Sequence, residues 1–168
     1  MIAVTLTLAE EAPVLSAIQK EAFRPLYERY HDEGNPYLRG EEDITKRLGR
    51  TDFRCYTIRE DGEIVGGIFY KCAGHTIFVD PLRHDDCYLG RVFIRPDRQG
   101  CGIAGKAIRM TMAEFPDARR FWVDYPADLE KNRRCYEGCG FTDTGKRMEV
   151  ENGKLTLACL VCEKGGSV

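Results

Sequence analysis

The segment "IAVTLTL" alternates apolar and polar side chains, the period of two expected of a strand with one buried face. From about Glu10 to Tyr30 the apolar spacing lengthens, and Leu15, Ile18, Ala22 and Leu26 fall on one helical face. Pro13 suits the first turn of that helix, and Pro25 predicts a bend or an end. "EGNPYLRG" then reads as a loop, and Glu41 to Leu48 as a second, short helix. "FRCYTIRE" and "EIVGGIFYKC" read as strands joined by Asp61-Gly62, a pair favoured in type I′ turns. "CYLGRVFI" is a further strand that stops at Arg95-Pro96, since proline cannot donate to a ladder. Ile103, Ala107, Ile108, Thr111, Met112 and Phe115 share a helical face that Pro116 ends. "RRFWVDY" returns to strand, and a helix follows from about Asp128 to Glu137. "FTDTGKRMEV" and "KLTLACLVC" form a closing hairpin about Asn152-Gly153.

Strand, two helices, three strands, helix, strand, helix, two strands: this order predicts a mixed sheet carrying helices, an α/β (α+β) sandwich. A chain of 168 residues suits one domain, so residues 1–168 are expected to form a single unit. The net charge of -2 gives no basic excess for a polyanion, and nucleic acid is not an expected partner. "MIAVTLTLAEEAP" has neither a basic start nor an apolar run of signal length, and no stretch has the length of a membrane span. A cytoplasmic protein with no membrane partner is expected. The 8 cysteines sit mostly in apolar runs, as reduced core thiols do. Cys159 and Cys162 would face opposite sides of a strand, and no histidine-rich segment completes a set with Cys135 and Cys139, so no metal is expected.

The candidate chemistry lies in "GCGIAGKA", residues Gly100 to Ala107, which fits three phosphate-loop patterns. As a P-loop it fails, because Ala107 stands where a magnesium-binding hydroxyl belongs. As a dinucleotide turn it has Gly100, Gly102 and Gly105, with Asp124 where a ribose-binding acid would end a strand. Against this, Arg95 to Gln99 separate strand from glycine, and only 44 residues follow Asp124, too few for the remaining βαβ units. The third pattern uses Gln99, Gly102 and Ala104 before a helix. A helix N-terminus offers unpaired N–H groups and partial positive charge, glycine lets the backbone approach, and Arg98, Gln99 and Lys106 would add donors.

With its surroundings, "YLGRVFIRPDRQGCGIAGKAI" and then "FWVDYPADLEKNRRCYEGCGF", the third pattern resembles the GCN5-related N-acetyltransferases. Their strand, Arg/Gln-x-x-Gly-x-Gly/Ala, helix motif is matched by Gln99, Gly102 and Ala104, and their later Tyr-x-x-x-Gly-Phe by Tyr136 and Gly140-Phe141. The likeness thins over residues 1 to 80. It implies a single-domain acyl-CoA N-acyltransferase fold, with a seven-stranded, mostly antiparallel mixed sheet and helices on both faces. It also implies acetyl-CoA as co-substrate, held in a V-shaped gap between the parallel strands "YLGRVFI" and "RRFWVDY".

Carried over, the resemblance gives the main chain of Val92, Phe93 and Ile94 to the pantetheine arm, and Arg98, Gln99, Gly100, Cys101, Gly102, Ile103, Ala104 and Gly105 to the diphosphate. Tyr136 becomes the general acid toward the departing sulfur, a role open to a phenol of pKa about 10 facing a thiolate whose acid has pKa about 8.5. Asn132 lies one turn before Tyr136 and is assigned to the cofactor, although in many relatives the asparagine falls at the position of Leu129. Relatives often place a glutamate base where this chain has Tyr88. Asp86, on the same strand face, is the expected substitute, with a water chain, His75 or His84 as alternatives. The acceptor, a primary amine of a small molecule or peptide, would meet the segment bearing His31, Asp32, Glu33, Tyr37, Glu41, Glu42 and Asp43, whose carboxylates and aromatic ring suit a cation. Trp122 and Phe141 are expected in the core. A homodimer is left open, as are an acetyl-CoA sensor without turnover and a dinucleotide-dependent oxidoreductase.

Overall fold

A computed structural model of the chain describes residues 1–164. Its strands form one seven-stranded sheet in the order β1-β2-β3-β4-β5-β7-β6. They are β1 (Ile2–Leu6), β2 (Phe53–Glu60), β3 (Glu63–Lys71), β4 (Asp86–Ile94), β5 (Arg120–Pro126), β6 (Thr142–Val150) and β7 (Leu155–Glu163). Every neighbouring pair is antiparallel except β4 with β5. The β2–β3 turn takes the type I′ form, with Asp61 and Gly62 at φ 50° and 86°.

Helices α1 (Ala12–Tyr30) and α2 (Glu41–Leu48) cover one face, where Leu15, Ile18 and Ile44 pack on Cys55, Phe69 and Phe93. Helices α3 (Ile103–Met112) and α4 (Glu130–Gly138) cover the other, where Ile103, Ala107, Ile108 and Tyr136 meet Leu89, Phe121, Val123 and Leu160. Both expected faces are therefore occupied. A mostly antiparallel sheet with a single parallel pair is incompatible with a doubly wound dinucleotide fold, which overturns the oxidoreductase alternative.

Several boundaries differ from the sequence pattern for local reasons. Pro25 does not end α1; it lies on the exposed side, and the helix runs to Tyr30, where His31 adopts a left-handed conformation and closes the last turn. Helix α3 ends at Met112 instead of Pro116, and Phe115 reaches the core from the turn that follows. Phe141 is buried in the core as expected, but Trp122 is only half buried and uses its indole N–H to bond the Asp86 carboxylate at 3.1 Å. All 8 cysteines are free thiols.

Candidate active site

The site begins where the one parallel pair comes apart. Residues Asp86 to Leu89 of β4 pair with Arg120 to Val123 of β5, and the register ends there. Beyond it β5 continues against β7, with Asp124 opposite Cys159, while β4 continues against β3, with Val92 opposite Ile68. A bulge opposite Phe69 and Tyr70 leaves Gly90 without a partner and rotates the rest of β4. Phe93 thereafter packs with the α1 and α2 side chains, and Val92 and Ile94 with those of α3. From Gly90 to Ile94 the β5-facing edge of β4 is left unpaired, where Val92, Phe93 and Ile94 are expected to use their main chain.

A single 3-10 turn, Pro96–Arg98, carries β4 into the glycine loop. Gly100 and Gly102 have φ of 75° and 77°, a region that L-residues avoid, and nothing lies within 4 Å of the place where a side chain would start. The amides of Arg98 and Gln99 bond back to Arg95 and Pro96, at 2.8 and 3.3 Å. Those of Gly100 through Gly105 have no acceptor among the described residues, and bonding resumes with Lys106 to the Gly102 carbonyl at 3.2 Å. The loop thus presents a row of free N–H groups at the start of α3.

Two expected side-chain donors are committed elsewhere. The Arg98 guanidinium is bidentate on Glu60, at 2.6 and 2.7 Å, and Gln99 donates to the Ile94 carbonyl at 2.9 Å. They brace the loop against β2 and β4. Cys101 is exposed, with its thiol near the Gln99 carbonyl at 3.6 Å.

The fork opens into a cleft of about 380 Å³ whose walls include Leu89, Gly90, Arg91, Val92, Asp124, Tyr125, Asn132 and Tyr136. Tyr136 is buried against Tyr125 and Phe141, with ring centroids 6.0 and 5.9 Å away. Its hydroxyl has no partner among the described residues, and no sealed-off side-chain polar atom lacks one, so the hydroxyl opens to the cleft. Burial raises its pKa further above the ordinary phenol range, keeping the proton in place. Asn132 lines the same cleft, one turn earlier on α4.

Asp86, the expected base, does not line this cleft. It begins β4, four residues before Gly90 and roughly 13 Å down the strand. Its carboxylate accepts from Arg120 at 2.7 Å, Trp122 at 3.1 Å and the Arg83 amide at 2.9 Å. Burial by itself would raise its pKa, but these donors outweigh it and hold the group below the usual range, as suits a structural anion. His75, paired with Asp80, and His84 are exposed in the β3–β4 connection and do not line the cleft.

The carboxylate that lines the cleft at the fork itself is Asp124, just past the last paired residues of β5. Burial raises its pKa, partly offset by a hydrogen bond from Tyr88 at 2.5 Å. On sequence alone Asp124 suggests only a ribose contact. The available signal is that it is the one acid within the apolar run "FWVDY". Of the acidic acceptor segment only Asp32 reaches the cleft, beside Gly34, Asn35 and Pro36. Tyr37 stacks on Tyr27, and Asp43 is paired with Arg47 and Arg91 at 3.2 and 3.0 Å. Phe23, Leu26 and Tyr30 from α1, and Val150, Glu151, Leu155 and Leu157 from the β6–β7 end, complete that wall. It is tied across by Asp128, which accepts from Arg29 and Tyr30 at 2.5 Å each, and by Glu151, which accepts from the Glu33 amide at 3.2 Å.

The sequence pattern of the Acetyltransferase (GNAT) family matches residues 15–141, well over half of the chain. The chain belongs to the GNAT acetyltransferase family. No curated protein matches it significantly in sequence. Solved structures of the same fold include the ribosomal-protein-S18-alanine N-acetyltransferase of Escherichia coli, with 12% identity, 100% of this chain and 97% of that one covered, and a TM-score of 0.74. An aminoglycoside acetyltransferase, AAC(6')-Ib, in complex with coenzyme A has 13% identity, coverage of 98% and 95%, and a TM-score of 0.75. A spermidine N-acetyltransferase chimera from Vibrio cholerae and hSSAT has 15% identity, coverage of 96% and 95%, and a TM-score of 0.73. By their names these acetyltransferases act on a ribosomal protein, an aminoglycoside and spermidine, so membership of the family does not name the acceptor of this GNAT protein. No group of metal-binding side chains occurs among its described residues, and none of its described helices is long and apolar enough to cross a membrane.

Proposed function

We propose that this protein is an acetyl-CoA-dependent N-acetyltransferase that acts on a primary amine of a small molecule or peptide by direct attack. One observation carries the reading: a strand edge and a row of loop amides, both unpaired, adjoin a cleft that holds a free phenol and a carboxylate of raised pKa. The Gly100 to Gly105 amides suit a diphosphate, since no side chain covers Gly100 or Gly102. The Gly90 to Ile94 edge of β4 suits the strand-like pairing of a pantetheine arm.

Asp124 and Tyr136 divide the proton work. A primary ammonium of pKa about 10.4 is rarely the free base at neutral pH, so a carboxylate that takes its proton raises the population able to attack. Asp124 supplies that carboxylate, and its raised pKa brings it nearer the useful range. Attack of the nitrogen on the thioester carbonyl forms the amide bond and breaks the carbon–sulfur bond; the Tyr136 hydroxyl donates its proton to the sulfur, and the second proton of the attacking nitrogen leaves to water. Proton exchange with water resets both side chains. No thiol is needed as a nucleophile, and neither Cys101 nor Cys135 lines the cleft.

Calorimetry with acetyl-CoA, followed by release of free CoA over a panel of polyamines, aminoglycosides, amino acids and peptide N-termini, tests the reading. Binding with turnover on at least one amine is expected. Binding without turnover would make the protein a sensor of the coenzyme, and no heat with the coenzyme would overturn the proposal.

A further inference from the structure

Tyr88 occupies a buried place on β4, 4% exposed, where a phenylalanine would pack as well, yet its hydroxyl has a partner on the neighbouring strand. In register it lies opposite Trp122, so its ring leans two residues along β5 to reach Asp124 Oδ2 at 2.5 Å. That is the one hydrogen bond the Asp124 carboxylate accepts among the described residues. Since no sealed-off side-chain oxygen there lacks a partner, Asp124 Oδ1 opens to the cleft. One carboxylate oxygen is therefore anchored at the fork and the other is presented to it.

We infer that Tyr88 is a positioning residue for the reaction: its hydroxyl fixes the Asp124 carboxylate at the end of the paired β4–β5 segment, so that the free oxygen faces the amine in the cleft. The inference rests on Asp124 being the proton acceptor of the proposed function. No other neighbour stands in for it. Cys159, opposite Asp124 on β7, is a buried thiol pushed up to about 11, and Tyr136 from α4 is a neutral phenol. Across the cleft Asp32 and Glu151 would oppose a second negative charge, and the cation Arg91 is bonded to Gln19 and Asp43, each at 3.0 Å. A phenol O–H donates to a carboxylate but gains much less from a neutral acid, so the contact lowers the pKa that burial raises.

Tyr88→Phe tests this with two readouts, after a thermal melt has shown a folded protein. By NMR titration of the Asp124 side-chain carbon, the pKa should rise by about one unit, the differential worth of one charge-assisted hydrogen bond. In kcat/KM against pH for an accepted amine, the acidic limb should move up by the same amount while the KM for acetyl-CoA stays unchanged. An unmoved Asp124 titration overturns the role of Tyr88 whatever the kinetics. A moved titration with an unmoved limb shows instead that Asp124 is not the base, which overturns the reading beneath the inference. Asp124→Asn is the second variant, and serves if Tyr88→Phe does not fold; it should remove the limb altogether, and a limb that survives overturns both.

Discussion

On the α3 side of the fork between β4 and β5, the groups offered to a ligand belong to the main chain: the amides of Gly100 to Gly105 and the open edge of β4. On the α1 side they are side chains from α1, the turn after it, β5 and the β6–β7 end, among them Phe23, Asp32, Asp124 and Glu151. Main-chain recognition needs only a backbone path, and the residues that permit the path are few and close together in sequence. Side-chain recognition needs particular groups brought together from distant segments. The same fold occurs at 12–15% identity in acetyltransferases named for a ribosomal protein, an aminoglycoside and spermidine.

The largest expected effect lies between the two walls. Tyr136→Phe removes only the proton aimed at the leaving sulfur, so kcat should fall by about 10²–10⁴-fold. The ring packing on Tyr125 and Phe141 is retained, and acetyl-CoA binding by calorimetry should be nearly unchanged. A kcat within a few-fold of wild type would remove Tyr136 as the acid.

Gly102→Val attacks the main-chain wall by itself. Space is not the obstacle, as the region where a side chain would begin is open, but φ of 77° is costly for a β-branched residue, by about 1–2 kcal/mol. The loop should relax and turn its amides away, weakening acetyl-CoA binding by about tenfold, with kcat at saturation largely kept. Unchanged affinity would mean that those amides are not the anchor.

Legibility in the sequence divides along the same line. Gln99, Gly102 and Ala104, with Tyr136 four residues ahead of Gly140-Phe141, are local signals, and the strand order around them follows from alternation and turn chemistry. Strand periodicity makes Asp86 a natural candidate for the base, because it places that residue on the same face as Tyr88. Periodicity carries no information on where β4 parts from β5, and that point decides which acid is free. Asp86 falls within the paired stretch and meets Arg120 and Trp122; Asp124 falls just beyond it. The acidic run after α1 likewise looks like one surface in sequence, yet a turn at Pro36–Leu38 and the pairing of Asp43 with Arg91 disperse it.

Asp124 also carries a stability consequence of intermediate size. Its folded-state pKa lies above the unfolded value of about 3.9, so the native state holds its proton longer, and stability falls as pH rises from the unfolded value through the folded one. Each unit of elevation costs about 1.4 kcal/mol above both values. Asp124→Asn removes that cost and keeps an oxygen to accept from Tyr88. Its melting temperature should exceed that of the wild type by a margin that grows as pH rises above about 4, while turnover is lost. A margin that shrinks as pH rises would show that the carboxylate is not desolvated in the fold.

The smallest effect sharpens the comparison most, because it concerns a cation beside the main-chain wall. From sequence Arg98 is expected to add a donor to the phosphates; in the structure both ends of its guanidinium fork are spent on Glu60. If the amides alone grip the diphosphate, Arg98→Ala should change acetyl-CoA affinity by less than about threefold, since a partly exposed ion pair contributes little to the shape of the loop it braces. Glu60→Gln should then be equally mild. The opposite pattern, a loss of tenfold or more in Arg98→Ala together with tighter binding in Glu60→Gln, would mean that the guanidinium leaves Glu60 for the phosphates. Side-chain charge would in that case share the work here assigned to backbone, and the contrast between the two walls would be one of degree.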